Sequence, residues 1–217
     1  DKIAWYENNG SESFTAHTIN SNADVAWSVY AIDLDSDGDI DVLSASSEDD
    51  KIAWYENNGS ESFTAHTITT NTDGAHAVYA VDIDTDGDID VLSASGIDDK
   101  IAWYENNGSG SFTAHTITTN ADDAWSVYAI DLDADGDIDV LSTSAEDDKI
   151  AWYENNGSQS YTEHTVTISA DYPYSVYAVD VDGDGDIDVL SASFNDDKIA
   201  WYQNSAGRNA PLVTSVT

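Results

Sequence analysis

Hydrophobic and polar positions alternate along this chain in short runs, without sustained helical spacing, and the whole pattern returns every 49 residues. Each period predicts four strands, in the first copy at 28–34, 40–46, 51–56 and 62–68. The runs are β-branched or aromatic and are bounded by Gly, Asn, Asp or Ser, which is how strands are punctuated. Val-Tyr-Ala-Ile/Val-Asp recurs from Val29, Val78, Val127 and Val176, and Asp-Val-Leu-Ser from Asp41, Asp90, Asp139 and Asp188. Lys-Ile-Ala-Trp-Tyr recurs from Lys2, Lys51, Lys100, Lys149 and Lys198, and Phe/Tyr-Thr-x-His-Thr from Phe14, Phe63, Phe112 and Tyr161. Asn57-Asn58-Gly59 supplies residues that accept positive φ, as a tight hairpin needs. The only prolines, Pro173 and Pro211, are expected in connections.

Four antiparallel strands per 49 residues is the pattern of a propeller blade. The expected fold is all-β, a β-propeller-type array of four-stranded antiparallel blades made from four repeats and a half repeat. The expected units are a half blade at 1–19, repeats at 20–68, 69–117, 118–166 and 167–205, and a tail at 206–217. The run beginning at Val29 is expected to be the innermost strand, buried on both faces.

Between the first two strands of each unit lies the densest chemistry in the chain. Asp33, Asp35, Asp37, Asp39 and Asp41 alternate with single residues around Gly38, and copies begin at Asp82, Asp131 and Asp180. Five carboxylates in nine residues repel one another unless a cation sits among them, and one tight loop can aim several oxygens at a single hard ion. One Ca2+ per loop, four in all, is the expectation.

The unit Val-Tyr-Ala-Ile-Asp-Leu-Asp-Ser-Asp-Gly-Asp-Ile-Asp-Val-Leu resembles the FG-GAP/VCBS repeat, the calcium-binding blade of integrin α-subunit propellers. Repeats of bacterial secreted proteins and some fungal lectins are similar. The resemblance runs from residue 1 to about 205 and implies a calcium loop on one rim of each blade. It implies side-chain ligation by Asp33, Asp35 and Asp37, a backbone carbonyl from Asp39, and Asp41 closing the shell. The same roles fall on Asp82, Asp84, Asp86, Asp88 and Asp90; on Asp131, Asp133, Asp135, Asp137 and Asp139; and on Asp180, Asp182, Asp184, Asp186 and Asp188. The family's Phe-Gly dipeptide before the inner strand is replaced by Trp27-Ser28, His76-Ala77, Trp125-Ser126 and Tyr174-Ser175, as in bacterial variants. An EF-hand does not fit: its twelfth position needs glutamate, where Ser44, Ser93, Ser142 and Ser191 stand, and its flanks are helices.

The formal charge is −37, and 20 of the 43 acidic residues lie in the loops. Four divalent ions would still leave −29. Such a surface excludes nucleic acid and disfavours anionic membranes, and no apolar run approaches the length of a membrane span. Lys2, Lys51, Lys100, Lys149 and Lys198 are read as fixed partners of the neighbouring Asp-Asp pairs. The tryptophans at 5, 54, 103, 152 and 201 are read as inter-blade packing, and His17, His66, His115 and His164 as strand residues without metal spacing. Trp27, His76, Trp125 and Tyr174 follow the most variable stretch of each unit, where they could stack on sugar rings or plug the gap between blades. Asn9, Asn58, Asn107 and Asn156 head Asn-Gly-Ser sequons at turn apices.

No nucleophile elbow, cysteine or phosphate loop offers a foothold for catalysis. The expected protein is therefore a non-enzymatic, secreted or cell-surface module for adhesion or assembly, with a glycan-binding lectin or an accessory propeller of a larger enzyme as alternatives. The chain starts within a motif, as a processed chain or a piece of something longer would. Four inner strands face five Lys-Ile-Ala-Trp-Tyr strands, which leaves three possibilities. The chain is part of a longer array, or its first strands complete the last blade, or an open edge and the apolar tail 211–217 pair with another copy in a homo-oligomer or filament.

Overall fold

The computed structural model describes residues 1–204 and the strand at 214–216. Strands β1 (Ile3–Asn8) and β2 (Phe14–Asn20) pair as a sheet of their own. Blade 1 is β3 (Ala26–Ile32), β4 (Asp41–Ser46), β5 (Lys51–Asn57) and β6 (Phe63–Thr69). Blade 2 is β7 (Ala75–Val81), β8 (Asp90–Ser95), β9 (Lys100–Asn106) and β10 (Phe112–Thr118). Blade 3 is β11 (Ala124–Ile130), β12 (Asp139–Ser144), β13 (Lys149–Asn155) and β14 (Tyr161–Thr167). Blade 4 is β15 (Pro173–Val179), β16 (Asp188–Ser193), β17 (Lys198–Gln203) and β18 (Thr214–Val216). Every sheet is antiparallel with its strands in chain order, and no helix occurs among the described residues. The architecture is all-β and propeller-like.

The inner strands β3, β7, β11 and β15 lie side by side in that order, and the cores form between successive blades. Leu34, Ile52 and Trp54 of blade 1 meet Ala75, Val78 and Tyr104 of blade 2. The same positions repeat at the next two interfaces, as Ile83, Ile101 and Trp103 against Val127 and Tyr153, and Leu132, Ile150 and Trp152 against Val176 and Tyr202. A repeat thus buries its apolar face only against its neighbour. Within each blade the third-strand tyrosine also meets a second-strand serine by hydroxyl contact, Ser44 with Tyr55 at 3.3 Å and Ser93 with Tyr104 at 3.1 Å.

Several expectations need correction. The first strand ends two residues early, at Ile32, because the Leu34 N–H donates to the Asp41 carboxylate at 3.1 Å and so turns into the loop. The innermost strand is not the one buried on both faces. Its burial alternates, and the second strand, with β8 and β12 buried throughout, is the true interior. Pro173 opens β15 instead of lying in a connection, a place where its missing N–H costs no ladder bond. The first strands do not complete the last blade, since β1–β2 packs Ile3 and Ile19 against Ala53 and Tyr55 of blade 1. Of the tail, 214–216 pairs with β17 of its own chain, and the rest lies outside the described residues.

Candidate metal centre

Each aspartate loop is folded by its own carboxylates before any ion is considered. The Gly38 N–H donates to Asp33 Oδ2 at 3.0 Å, Asp37 N–H to Asp35 Oδ1 at 3.2 Å, and Asp39 N–H to Asp37 Oδ1 at 2.8 Å. The first of these recurs at Gly87, Gly136 and Gly185, each at 3.1 Å. These turns run the chain in a tight arc and point the remaining oxygens inward. Gly38, Gly87, Gly136 and Gly185 have φ between 97° and 100°, a region closed to side-chain-bearing residues.

The arc brings carboxylates together in all four loops. Oxygens of Asp33, Asp35 and Asp37 lie within 4.8 Å of one another, as do those of Asp82, Asp84 and Asp86. In the other two loops the groups are Asp131, Asp133 and Asp139, and Asp180, Asp182 and Asp188. Oxygens around one Ca2+, each at about 2.3–2.6 Å from it, fall within about 5 Å of each other, so the spacing suits the ion. Asp33 Oδ1 and Asp131 Oδ1 are buried and accept no hydrogen bond, which a buried carboxylate oxygen rarely tolerates. The donor set is all hard oxygen. The residues therefore fit a calcium-type cation.

Not every aspartate joins these groups. The carboxylates of Asp39, Asp88 and Asp137 turn outward against the Asn-Asn-Gly turns, so closely that a Cβ at Gly59 would sit 2.4 Å from Asp39 Oδ2. Asp41 and Asp90 stand outside the groups and Asp139 and Asp188 within them, and all four are buried at the base of the loop. Asp41 accepts from the N–H of Leu34 at 3.1 Å and of Asn57 at 2.7 Å, tying the loop to the end of the third strand. Asp90 does the same with Ile83 and Asn106, Asp139 with Leu132 and Asn155, and Asp188 with Val181 and Asn204. The asparagine also donates its side-chain amide to the loop backbone, Asn57 to Ile40 O at 3.1 Å and Asn106 to Ile89 O at 3.0 Å. From the sequence Asn57 reads only as a turn residue. Its constant place, 16 residues after the last loop aspartate in all four units, was the available signal.

Without an ion these carboxylates are costly to ionise. Burial pushes Asp90 up to about 7 and Asp139 up to about 6, against the lowering effect of the backbone N–H donors. Asp35, Asp84 and Asp133 are raised too, first by burial and then by neighbouring carboxylates. A divalent ion reverses this by favouring the charged form.

Most of the other singled-out residues have structural partners. Lys149 and Lys198 pair with Asp147 at 3.2 Å and Asp196 at 3.0 Å, and Lys51 and Lys100 pair likewise with Asp49 and Asp98. His17, His66, His115 and His164 each stack on the tryptophan across the strand pair, as Trp54 with His66 at 4.6 Å, and bond a glutamate, as His66 with Glu56 at 2.7 Å. Trp27, His76, Trp125 and Tyr174 form a row at the strand ends opposite the loops. His76 stacks on Trp125 at 4.0 Å, and Trp125 meets Tyr174 at 4.2 Å and Trp27 at 5.3 Å. These rings largely occupy one another, although Trp27 remains 54% exposed.

Solved structures with a similar fold include a protein from Lactobacillus plantarum, 16% identical, with a TM-score of 0.68 over 96% of this chain and 60% of that one. A Bacteroides uniformis structure named for 6-phosphogluconolactonase is 14% identical, with a TM-score of 0.60 over 88% of this chain and 54% of that one. A mutant Aleuria aurantia lectin in complex with alpha-methyl-L-fucoside is 12% identical, with a TM-score of 0.53 over 89% of this chain and 64% of that one. The chain thus spans less than two thirds of each of these three structures. No curated protein sequence matches it significantly. The pattern of the FG-GAP-like repeat matches residues 1–44, 33–93, 82–142 and 131–191, and the chain belongs to that family.

Proposed function

We propose that this chain is a calcium-stabilised, non-enzymatic repeat module that serves adhesion or assembly outside the cell. The observation that carries it is the convergence of carboxylate oxygens in all four loops, with buried, unpartnered oxygens at Asp33 and Asp131. Asp33, Asp35 and Asp37, Asp82, Asp84 and Asp86, Asp131, Asp133 and Asp139, and Asp180, Asp182 and Asp188 would hold the ions, and the base aspartates Asp41, Asp90, Asp139 and Asp188, bonded to the end of the third strand, would carry the effect into the blade. Bound calcium supplies charge neutralisation that no side chain of this strongly acidic chain can provide. Its extracellular setting follows from the ion, since millimolar calcium saturates weak sites. The non-enzymatic reading rests on the use of the carboxylates, which are committed to loop turns, strand ends and lysine pairs.

Thermal melting with calcium and then with a chelator tests the reading. A large fall in melting temperature is expected on chelation, and an unchanged melt would overturn it. Carbohydrate binding is a second reading, carried by the exposure of the Trp27 side chain at the end of the aromatic row. A glycan array with the native chain and Trp27→Ala separates the two.

A further inference from the structure

Blades 2 and 3 enclose between them a phenol hydroxyl that serves neither the loop turns, the strand ladders nor the lysine pairs. Tyr161 opens β14, at the position where Phe14, Phe63 and Phe112 open β2, β6 and β10. Its side chain packs against the core between these two blades, which includes Ile83 of the second aspartate loop and Tyr153 of blade 3. The hydroxyl is buried there and meets no hydrogen-bond partner among the described residues. Phe112 packs in the equivalent place between blades 1 and 2, with no hydroxyl to satisfy. Phenylalanine at 161 would fill the same space without leaving a buried donor unpaired, which folded proteins rarely tolerate.

The groups around this hydroxyl are carboxylates of two different loops. Tyr161 stands opposite Asn155, whose N–H donates to Asp139 Oδ1 at 2.8 Å. Burial first, and then the carboxylates of Asp139, Asp90 and Asp84, push the phenol above the ordinary tyrosine range, so it stays a neutral donor. Asp84 belongs to the carboxylate group of the second loop and Asp139 to that of the third. From this we infer that the Tyr161 hydroxyl is a positioning donor for the metal sites of blades 2 and 3, hydrogen-bonding a carboxylate of these two loops when they are loaded and so making the four sites unequal. The inference rests on the calcium reading of the loops. A hydrogen bond to an ionised carboxylate is roughly twice as strong as one between neutral groups, and a divalent ion keeps these carboxylates ionised. The interface between blades 1 and 2 lacks the donor, since Phe112 stands there.

Calorimetric titration of the chelator-stripped native chain and of Tyr161→Phe with calcium, together with melts in calcium and in chelator, tests this. Tyr161→Phe should bind part of its four ions about tenfold more weakly, as loss of one hydrogen bond to a charged group implies. The loss of calcium-induced amide protection should be confined to the loops at 82–90 and 131–139. In chelator the same variant should melt at the native temperature or above it, because an unpaired buried hydroxyl has been removed. A melt lowered equally with and without calcium would mark Tyr161 as a packing residue and overturn the proposal. Four ions bound by Tyr161→Phe with the native affinities would sink this inference alone. A native chain that takes up no calcium would sink the calcium reading and this inference with it.

Discussion

Blade 2 and blade 4 carry nearly the same residues in different surroundings. Blade 2 is enclosed by blades 1 and 3, so that Ile83, Ile101 and Trp103 all pack into a neighbour. In blade 4 the matching Val181 and Ile199 are exposed and meet no further blade among the described residues, although Val176 and Tyr202 on its other face are fully engaged with blade 3. The strand pairing inside both blades is the same, residue for residue. Local sequence therefore specifies a blade and its loop, while a neighbour supplies half of its burial.

Disabling one loop should expose this contrast most strongly. With calcium present, replacing Asp82, Asp84 and Asp86 together by alanine should cost about 4 kcal/mol of unfolding free energy, the value of an ion held at about a thousand times its dissociation constant. The same change at Asp180, Asp182 and Asp184 should cost less than half as much and fray blade 4 locally, visible as faster amide exchange in β16 alone. Equal losses in denaturant titrations would mean that the blades do not share their stability.

Next in size is the packing contrast. Ile101→Ala should cost about 3 kcal/mol, as removal of a buried aliphatic side chain does, and Ile199→Ala should stay within about 0.5 kcal/mol, as exposed substitutions do. Denaturant midpoints for the two variants decide it.

A third test uses pH. The folded, ion-free chain holds protons on Asp90 and Asp139 up to about 7 and about 6, well above the ordinary carboxylate value of 3.8. Between those limits the folded state binds more protons than the unfolded one, so stability of the chelated chain should fall as pH rises from about 4 to about 7. Saturating calcium should remove or reverse that slope. Chelated melts that improve across this window would contradict the placement of these groups. Smallest of the four, Asn106→Ala removes the amide donated to Ile89 O and should cost about 1 kcal/mol in the same denaturant assay.

The 49-residue period made the strands, the aspartate loops and the lysine–aspartate pairs legible, since each follows from local chemistry repeated at one spacing. What stayed hidden depends on contacts distant in sequence. Asp41 reaches Asn57 across 16 positions, and this pairing ties the loop to the end of the third strand. The stacking of His66 on Trp54 and of His76 on Trp125 arises from strand register and blade adjacency, neither of which is visible in composition. Nor could identical pentapeptides reveal that Ile3 is buried and Ile199 exposed, because that depends on which neighbour is present.

Metal held among the four carboxylate clusters is the central claim, and calorimetric titration of the chelator-stripped chain with calcium tests it most directly. Four equivalents bound per chain, with none after the loop aspartates are replaced by asparagine, is the predicted result. A chain that stays folded and takes up no calcium at millimolar concentration would contradict it.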